Sequence, residues 1–204
     1  MSKTNCVIQF AKWPVYGNVK TRLAAHLGHD SARDVHIRLA TEVYSNLCRV
    51  EGADIEIHVD AIDVADQQLE NGVFDEWHRA SLLKLQYGAD LGARMARAIS
   101  EGLKSYDKVL IVGSDCPSVD CQYLDSAFAA LNDSSMVIGP AEDGGYVLVG
   151  ASSPIGSVFD GVEWGGAKVL AQTVSNAEHL NISVGLLEER WDVDELADYV
   201  RWSN

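Results

Sequence analysis

Positive charge is scarce in this sequence. The chain carries 16 Lys and Arg against 30 Asp and Glu, a formal net charge of −14. A surface of that sign repels DNA, RNA and anionic lipid, so generic attraction to any of them is excluded. An anionic small molecule remains a ligand only if the chain builds a local cationic site. Long apolar runs are also missing. No stretch approaches the roughly 18 consecutive apolar residues of a membrane span. The N-terminal "MSKTNCVIQFAKW" has too short an apolar run for a signal peptide and passes straight into a strand pattern, so the expectation is a cytoplasmic protein. Four cysteines, Cys6, Cys48, Cys116 and Cys121, form no C-x-x-C pair, which argues against a zinc site or a disulfide framework. The Walker pattern, G-x-G-x-x-G and the serine elbow G-x-S-x-G are all absent. With 17 Gly and only 4 Pro in 204 residues, the chain is neither fibrous nor low in complexity.

What is present is a regular alternation of strand and helix patterns. "NCVIQFA" (5–11) reads as a buried strand. "DSARDVHIRLATEVYSNLCRV" (30–50) places Val35, Leu39, Val43 and Leu47 at helical spacing, with Asp30 or Ser31 as its cap. "DIEIHVD" (54–60) alternates as a strand, 61–78 reads as a turn and a short helix, and "LLKLQY" (82–87) as a strand. A helix follows over 90–106. The continuously apolar "KVLIVGSD" (108–115) predicts a central parallel strand. Helices over 121–132, 167–180 and 194–202 and strands over 135–141, 145–151 and 181–188 complete the series. Such alternation, with no linker, repeat or compositional break, predicts a single α/β domain spanning 1–204, a sandwich around a mostly parallel sheet.

Open α/β sheets bind ligands beyond the carboxyl ends of their strands, and four stretches fall there. "KWPVYGNVKTRLA" (12–24) places Lys12, Lys20 and Arg22 around Gly17; it is either a solvated basic loop or a phosphate cradle, in which Lys supplies a point charge and Arg a planar fork. "VGSDCPSVD" delivers Asp115 to a strand end, where a carboxylate can help hold Mg²⁺ or can simply cap a turn. "GPAEDGGYVLVG" carries Glu142 and Asp143 before Gly144, and Asp-Gly is also a plain hairpin signal. In "RWDVDELADY", Asp192 and Asp194 share a face if the segment is extended, while Asp194 can instead be an N-cap. His36 and His58 sit within regular patterns and read as structural, and Trp164 and Trp191 as packing residues.

Taken in order, "FAKWPVYGNVKTRLA", "GADLGARMARA", "IVGSDCPSVD", "GPAEDGGYVLVG", "EWGGAKVLAQT" and "RWDVDELADY" resemble a bacterial family of GT-A-like transferases. That family is related to 2-phospholactate guanylyltransferase and molybdenum cofactor guanylyltransferase. Its members are named radical-SAM/selenodomain-associated transferases or arsenosugar biosynthesis glycosyltransferases. The resemblance spans almost the whole chain. It implies a three-layer nucleotide-diphospho-sugar transferase fold and assigns roles by position. Gly17, Lys20 and Arg22 match the phosphate-binding loop. Asp115 matches the metal-binding Asp, and Asp192 and Asp194 match the late acidic pair that completes the metal site. Glu142, Asp143 and Gly144 match a segment near the substrate, and Asp90, Gly92 and Arg94 match one near the nucleotide. Two positions depart from the family: "EWGG" stands where Trp-Ser-Thr is more frequent, and Tyr16 stands where Pro is common.

The expectation is therefore an enzyme that uses Mg²⁺ or Mn²⁺ and a nucleoside triphosphate or nucleotide-sugar, with no nucleic acid or membrane partner. In the leading reading it is a nucleotidyltransferase: Lys20 and Arg22 stabilise a departing pyrophosphate, and a phosphorylated or acidic acceptor takes the nucleotide. In the alternative, a glycosyltransferase, Glu142 or Asp143 acts as base on an acceptor hydroxyl. A non-catalytic nucleotide-binding module is the third reading.

Overall fold

The computed structural model describes residues 5–61 and 83–204. Most of the helix expected within 61–78 lies outside the described residues. Seven strands among them form one sheet: β1 (Asn5–Ala11), β2 (Ala53–Val59), β3 (Leu83–Leu85), β4 (Lys108–Gly113), β5 (Met136–Pro140), β6 (Tyr146–Ala151) and β7 (Val184–Leu186). Their order is β3-β2-β1-β4-β6-β5-β7. All neighbours pair in parallel except that β6 runs antiparallel to both β4 and β5. The helices are α1 (Thr21–Leu27), α2 (His29–Leu47), α3 (Leu91–Gly102), α4 (Cys121–Ala130), α5 (Val169–His179) and α6 (Leu196–Ser203). This is the expected α/β architecture with a mostly parallel sheet.

The core forms because the strands bury side chains on both faces. Val109 to Val112 of β4 are at most 3% exposed, as expected of a strand flanked on both sides and covered on both faces. On one face, Val7, Leu110 and Val112 meet Val43 and Leu47 of α2 and Leu124 and Phe128 of α4. On the other, Ile8, Val109 and Ile111 meet Met95 and Ile99 of α3 and Ala177 of α5. Helix layers therefore lie on both sides of the sheet. A separate cluster joins Leu23 of α1, Leu39 of α2 and Val193, with Tyr199 and Trp202 of α6 packed against it. That cluster anchors the C-terminal segment beside the first loop. Each fully buried Leu or Ile contributes about 1.5–3 kcal/mol through burial alone.

Several local expectations are corrected. The basic stretch 12–24 is not all loop, because α1 begins at Thr21 and places Arg22 on a helix. Neither Asp30 nor Ser31 caps α2: it starts at His29 after Gly28, whose φ of 80° suits glycine, and Asp30 lies in its first turn. Asp194 is not the cap of α6. Glu195 is, and its backbone N–H donates to Asp198 Oδ2 at 2.8 Å. Asp115 does not cap the following helix either, since Asp120 accepts from the Tyr123 N–H at 2.8 Å. The strands expected over 82–87 and 181–188 shorten to the three residues of β3 and β7.

Leu110 is fully buried at the centre of the sheet. Leu110→Ala is expected to lower unfolding stability by about 2–5 kcal/mol through lost burial and the cavity left behind. Urea denaturation followed by circular dichroism measures it, and a loss below 1 kcal/mol contradicts this packing.

Candidate active site

The carboxyl ends of the parallel strands open onto a cavity of about 510 Å³. β1 ends there with Phe10 and Ala11 and leads into Lys12, while β4 leads into Ser114 and Asp115. β6 runs the other way, so it begins at this edge with Tyr146. The turn that joins it to β5 therefore presents Asp143 to the same space. In that turn Gly144 adopts φ 87°, and a Cβ there would collide with the carbonyl of Ala167. The Leu170 N–H donates to Gly144 O at 3.0 Å, docking the hairpin against the start of α5. "EDGG" is thus both a hairpin turn and a wall of the cavity.

Lys20 is the charged centre. Its Nζ donates to Asp115 Oδ2 at 2.7 Å and to Val193 O at 2.5 Å, and its side chain is only 5% exposed. The backbone pays with a left-handed φ of 47°, rare for a residue with a Cβ and costing on the order of 1–3 kcal/mol. Burial alone would discharge the ammonium. Asp115 outweighs burial and holds the Lys20 pKa above its usual value. Burial likewise works against the Asp115 carboxylate, and the Lys20 ammonium outweighs it and keeps its pKa low. Asp115 remains one-third exposed, toward the cavity.

Asp192 stands in the opposite condition. Burial and the like charges of Asp115 and Asp143 push its pKa up to about 7, against which Lys20 is insufficient. The 191–194 segment is not helical, and Val193 is fully buried between Asp192 and Asp194, so the two carboxylates line one cavity as the alternation predicted. Asp194 has its own partner, accepting from Arg22 NH1 at 2.6 Å.

The structure brings Lys12, Lys20, Arg94, Asp115, Asp143, Asp192 and Asp194 onto one cavity lining. Other expected site residues lie off it. Arg22 is 61% exposed and engaged with Asp194. Glu142 points away and pairs with Arg201 at 2.9 Å. Asp90 caps α3 by accepting from the Ala93 N–H at 2.8 Å. Gly92 is a packing glycine: a Cβ there would stand 2.7 Å from Phe159 Cβ and 2.8 Å from Trp164 Cζ2. Gly17 and Gly144 shape turns without lining the cavity, Gly17 with φ 79°.

Other lining residues escaped the sequence reading. Asp60 accepts from the Trp13 N–H at 2.7 Å, which fixes the chain just after β1. Gln86 Nε2 donates to His58 O at 2.8 Å and to Ala11 O at 3.2 Å, bridging the ends of β2 and β1. His36 Nε2 lies 3.0 Å from Lys12 O, and burial lowers its pKa and keeps it neutral. Trp164 packs against Tyr146 and Phe159 as expected, yet it also faces the cavity. Polar residues at the strand ends after β2 and β3 were the available signal for Asp60 and Gln86.

Among the described residues, no group of three His, Cys, Asp or Glu side chains is placed to hold a metal unaided. The oxygen donors nevertheless suit a hard cation. Asp115 is partly open, and burial together with the like charges of Asp115 and Asp143 raises the Asp192 pKa, a condition that an added cation relieves. Mg²⁺ retains waters and takes one or two carboxylates together with substrate phosphates, which fits this pair.

Fold and cavity together define the nucleotide-diphospho-sugar transferase class of α/β folds. The chain belongs to the family described as "Uncharacterized protein conserved in bacteria (DUF2064)", whose profile matches residues 45–166. It is similar to a crystal structure of a proposed nucleotide-diphospho-sugar transferase from Desulfovibrio desulfuricans, with 34% identity and a TM-score of 0.85 over 98% of this chain and 85% of that one. CMP:2-keto-3-deoxy-manno-octonic acid synthetase in complex with CTP shares the fold at 8% identity, TM-score 0.60, over 98% and 96% of the two chains. So does 4-diphosphocytidyl-2C-methyl-D-erythritol synthase from Anaerococcus prevotii, at 13% identity, TM-score 0.57, over 98% and 94%. No curated protein matches the chain.

The raised Asp192 pKa gives a signed prediction for the protein in chelator. Ionised Asp192 is disfavoured in the folded state. Its destabilisation is complete above about 7 and disappears as pH falls toward the unfolded value of 3.8. Asp192→Asn is therefore expected to raise the melting temperature by a few degrees in mildly alkaline buffer, at about 2–4 °C per kcal/mol for a chain of this size. The gain should shrink to nothing near the unfolded value. Thermal melts across pH measure it, and a gain that grows on acidification contradicts the charge crowding.

Proposed function

We propose that this protein is a transferase whose donor is a nucleoside phosphate, and that it transfers the nucleotidyl group with release of pyrophosphate. One observation carries the reading: the buried Lys20 ammonium, pinned between Asp115 and the Val193 carbonyl at the cavity wall, beside carboxylates that lack a matching cation. A polyphosphate chain with a divalent cation complements that arrangement. The phosphates accept from Lys20, with Lys12 and Arg94 on the same side, and the cation takes Asp115 and Asp192. When bound, Mg²⁺ or Mn²⁺ supplies Lewis-acid neutralisation of phosphate charge. Asp194 is the poorer ligand, because Arg22 already holds it.

In this reading Lys20 gives up a bond to Asp115 and stabilises charge building on the leaving pyrophosphate. The ammonium needs little reorganisation, since the Val193 carbonyl still accepts from it. Asp143 faces the acceptor. Its Oδ1 accepts from the Gly145 N–H at 2.8 Å, which orients the carboxylate and leaves the other oxygen for a substrate hydroxyl. Glycosyl transfer from a nucleotide-sugar is the second reading, favoured by the description of the 34%-identical relative. The same residues would then stabilise a departing nucleoside diphosphate.

Thermal melts with Mg²⁺ and separate panels of nucleoside triphosphates and nucleotide-sugars test the donor. Saturation at 100 Kd stabilises by about 2.7 kcal/mol. Response to triphosphates, with pyrophosphate release, is expected. Response only to nucleotide-sugars overturns nucleotidyl transfer, and response to neither overturns the donor reading altogether. Asp115→Asn is expected to fold and to lose the Mg²⁺-dependent part of the stabilisation; unchanged Mg²⁺ dependence removes Asp115 from the metal site. Lys20→Ala is expected to weaken triphosphate binding more than monophosphate binding, by about tenfold or more for a charge-assisted contact. Equal loss for both makes Lys20 a structural residue only.

A further inference from the structure

The walls of the cavity divide by charge. Among the described residues, the Lys and Arg side chains on its lining are Lys12, Lys20 and Arg94, from the loop after β1 and from α3. The facing wall comes from the β5–β6 hairpin, the 164–169 segment and the 191–194 segment. It presents Asp143, Asp192, Asp194, Tyr146 and Trp164 and, among the described residues, no Lys, Arg or His. Cations nearby in sequence are engaged elsewhere. Arg190 lies 4.4 Å over the Tyr123 ring and Arg201 lies 4.3 Å over the Trp191 ring while pairing with Glu142. Lys168 is exposed and off the lining.

Trp164 is a fixed platform on this wall. Its ring meets Tyr146 edge-on, with centroids 6.3 Å apart at 87°, and meets Phe159 at 6.2 Å. The side-chain-free backbone of Gly92 lets α3 close against it from behind. Gly165 and Gly166 beside it put only backbone on the lining. An indole that shares the lining with carboxylates suits a ring that is apolar on its face and hydroxylated at its edge, and it attracts an ammonium. An ionised phosphate or carboxylate placed there meets the like charge of Asp143 and Asp192, because the cations that reach this wall are already engaged, Lys20 with Asp115 and Arg22 with Asp194.

Building on the transferase reading above, we propose that the acceptor is a neutral or cationic polyhydroxyl molecule of the sugar or amino-sugar class, and not the phosphorylated or acidic acceptor that the resemblance first suggested. Such a hydroxyl does not arrive ionised, so its attack requires a base. The acceptor O–H proton passes to the Asp143 carboxylate as the acceptor oxygen forms its bond to the α-phosphorus. The bond from that phosphorus to pyrophosphate breaks, and its electron pair leaves with the pyrophosphate. In glycosyl transfer the same proton moves as the oxygen bonds to the sugar carbon and the nucleoside diphosphate departs.

The test titrates glucose, glucosamine, gluconate and a glucose phosphate ester into the whole protein, with and without nucleotide, and follows the Trp164 indole N–H resonance by NMR. The resonance is assigned by its loss in Trp164→Phe. Glucose or glucosamine is expected to shift it, with affinity about tenfold or more above the two anionic compounds. Equal or tighter binding of gluconate or the phosphate ester at Trp164 overturns the proposal, and so does the absence of any shift at tens of millimolar. Donor binding is read separately by thermal stabilisation. A protein that binds glucosamine at Trp164 but no nucleotide therefore overturns the transferase reading and not the charge preference of this wall.

Discussion

One buried cation ties this site together. Lys20 Nζ reaches Asp115, 95 positions away, and the carbonyl of Val193, 173 positions away. The Val193 N–H in turn donates to Asp115 O at 2.9 Å, closing the arrangement. A charged amine taken out of water must be paired and hydrogen-bonded or it is lost as a charge. The first loop, the end of the central strand and the C-terminal segment are consequently held in one relation. The left-handed backbone at Lys20 persists because these contacts over-determine it.

The clamp also creates a charge imbalance in the cavity. Drawing the 191–194 segment onto Asp115 brings Asp192 into a space where Asp143 already stands, and one ammonium cannot balance the resulting charge. Burial and this like charge together push the Asp192 pKa up to about 7. A region that raises the pKa of its own carboxyl group favours positive charge from outside, and the proposed metal–phosphate ligand would meet that better than a free anion.

Topology supplies the second constraint. Six of the seven described strands run in one direction and send their carboxyl ends to one edge, which builds the site from the segments after β1, β2, β3, β4, β5 and β7. The reversed β6 adds the start of a strand, at Tyr146, to the same edge. One wall thus comes from the loop after β1 and from α3 and carries the cations. The other comes from the hairpin and the late segments and carries the acids and the indole. In a protein of net charge −14, that division sets Lys12, Lys20 and Arg94 where the proposed phosphates would lie.

Much of this was legible along the chain. The apolar run of β4, the four-residue spacing of Val35, Leu39, Val43 and Leu47, and the alternation that turns Asp192 and Asp194 to one side are decided by neighbours within a few positions. The positions that line the cavity beyond the motifs were not legible. Asp60, Gln86 and His36 belong to the site because β2, β3 and α2 pack around β1; a polar residue at a strand end is the only local hint for the first two, and His36 carries none. Nor does local pattern say that Arg22 takes Asp194, that Glu142 turns out to Arg201, or that Gly92 is there for Trp164. Periodicity is a short-range property of the backbone, so the sequence by itself determined the elements and their buried faces. Ion pairs spanning 95 or 172 residues depend on which strand lies beside which, so only the tertiary structure decided how the charges were partnered.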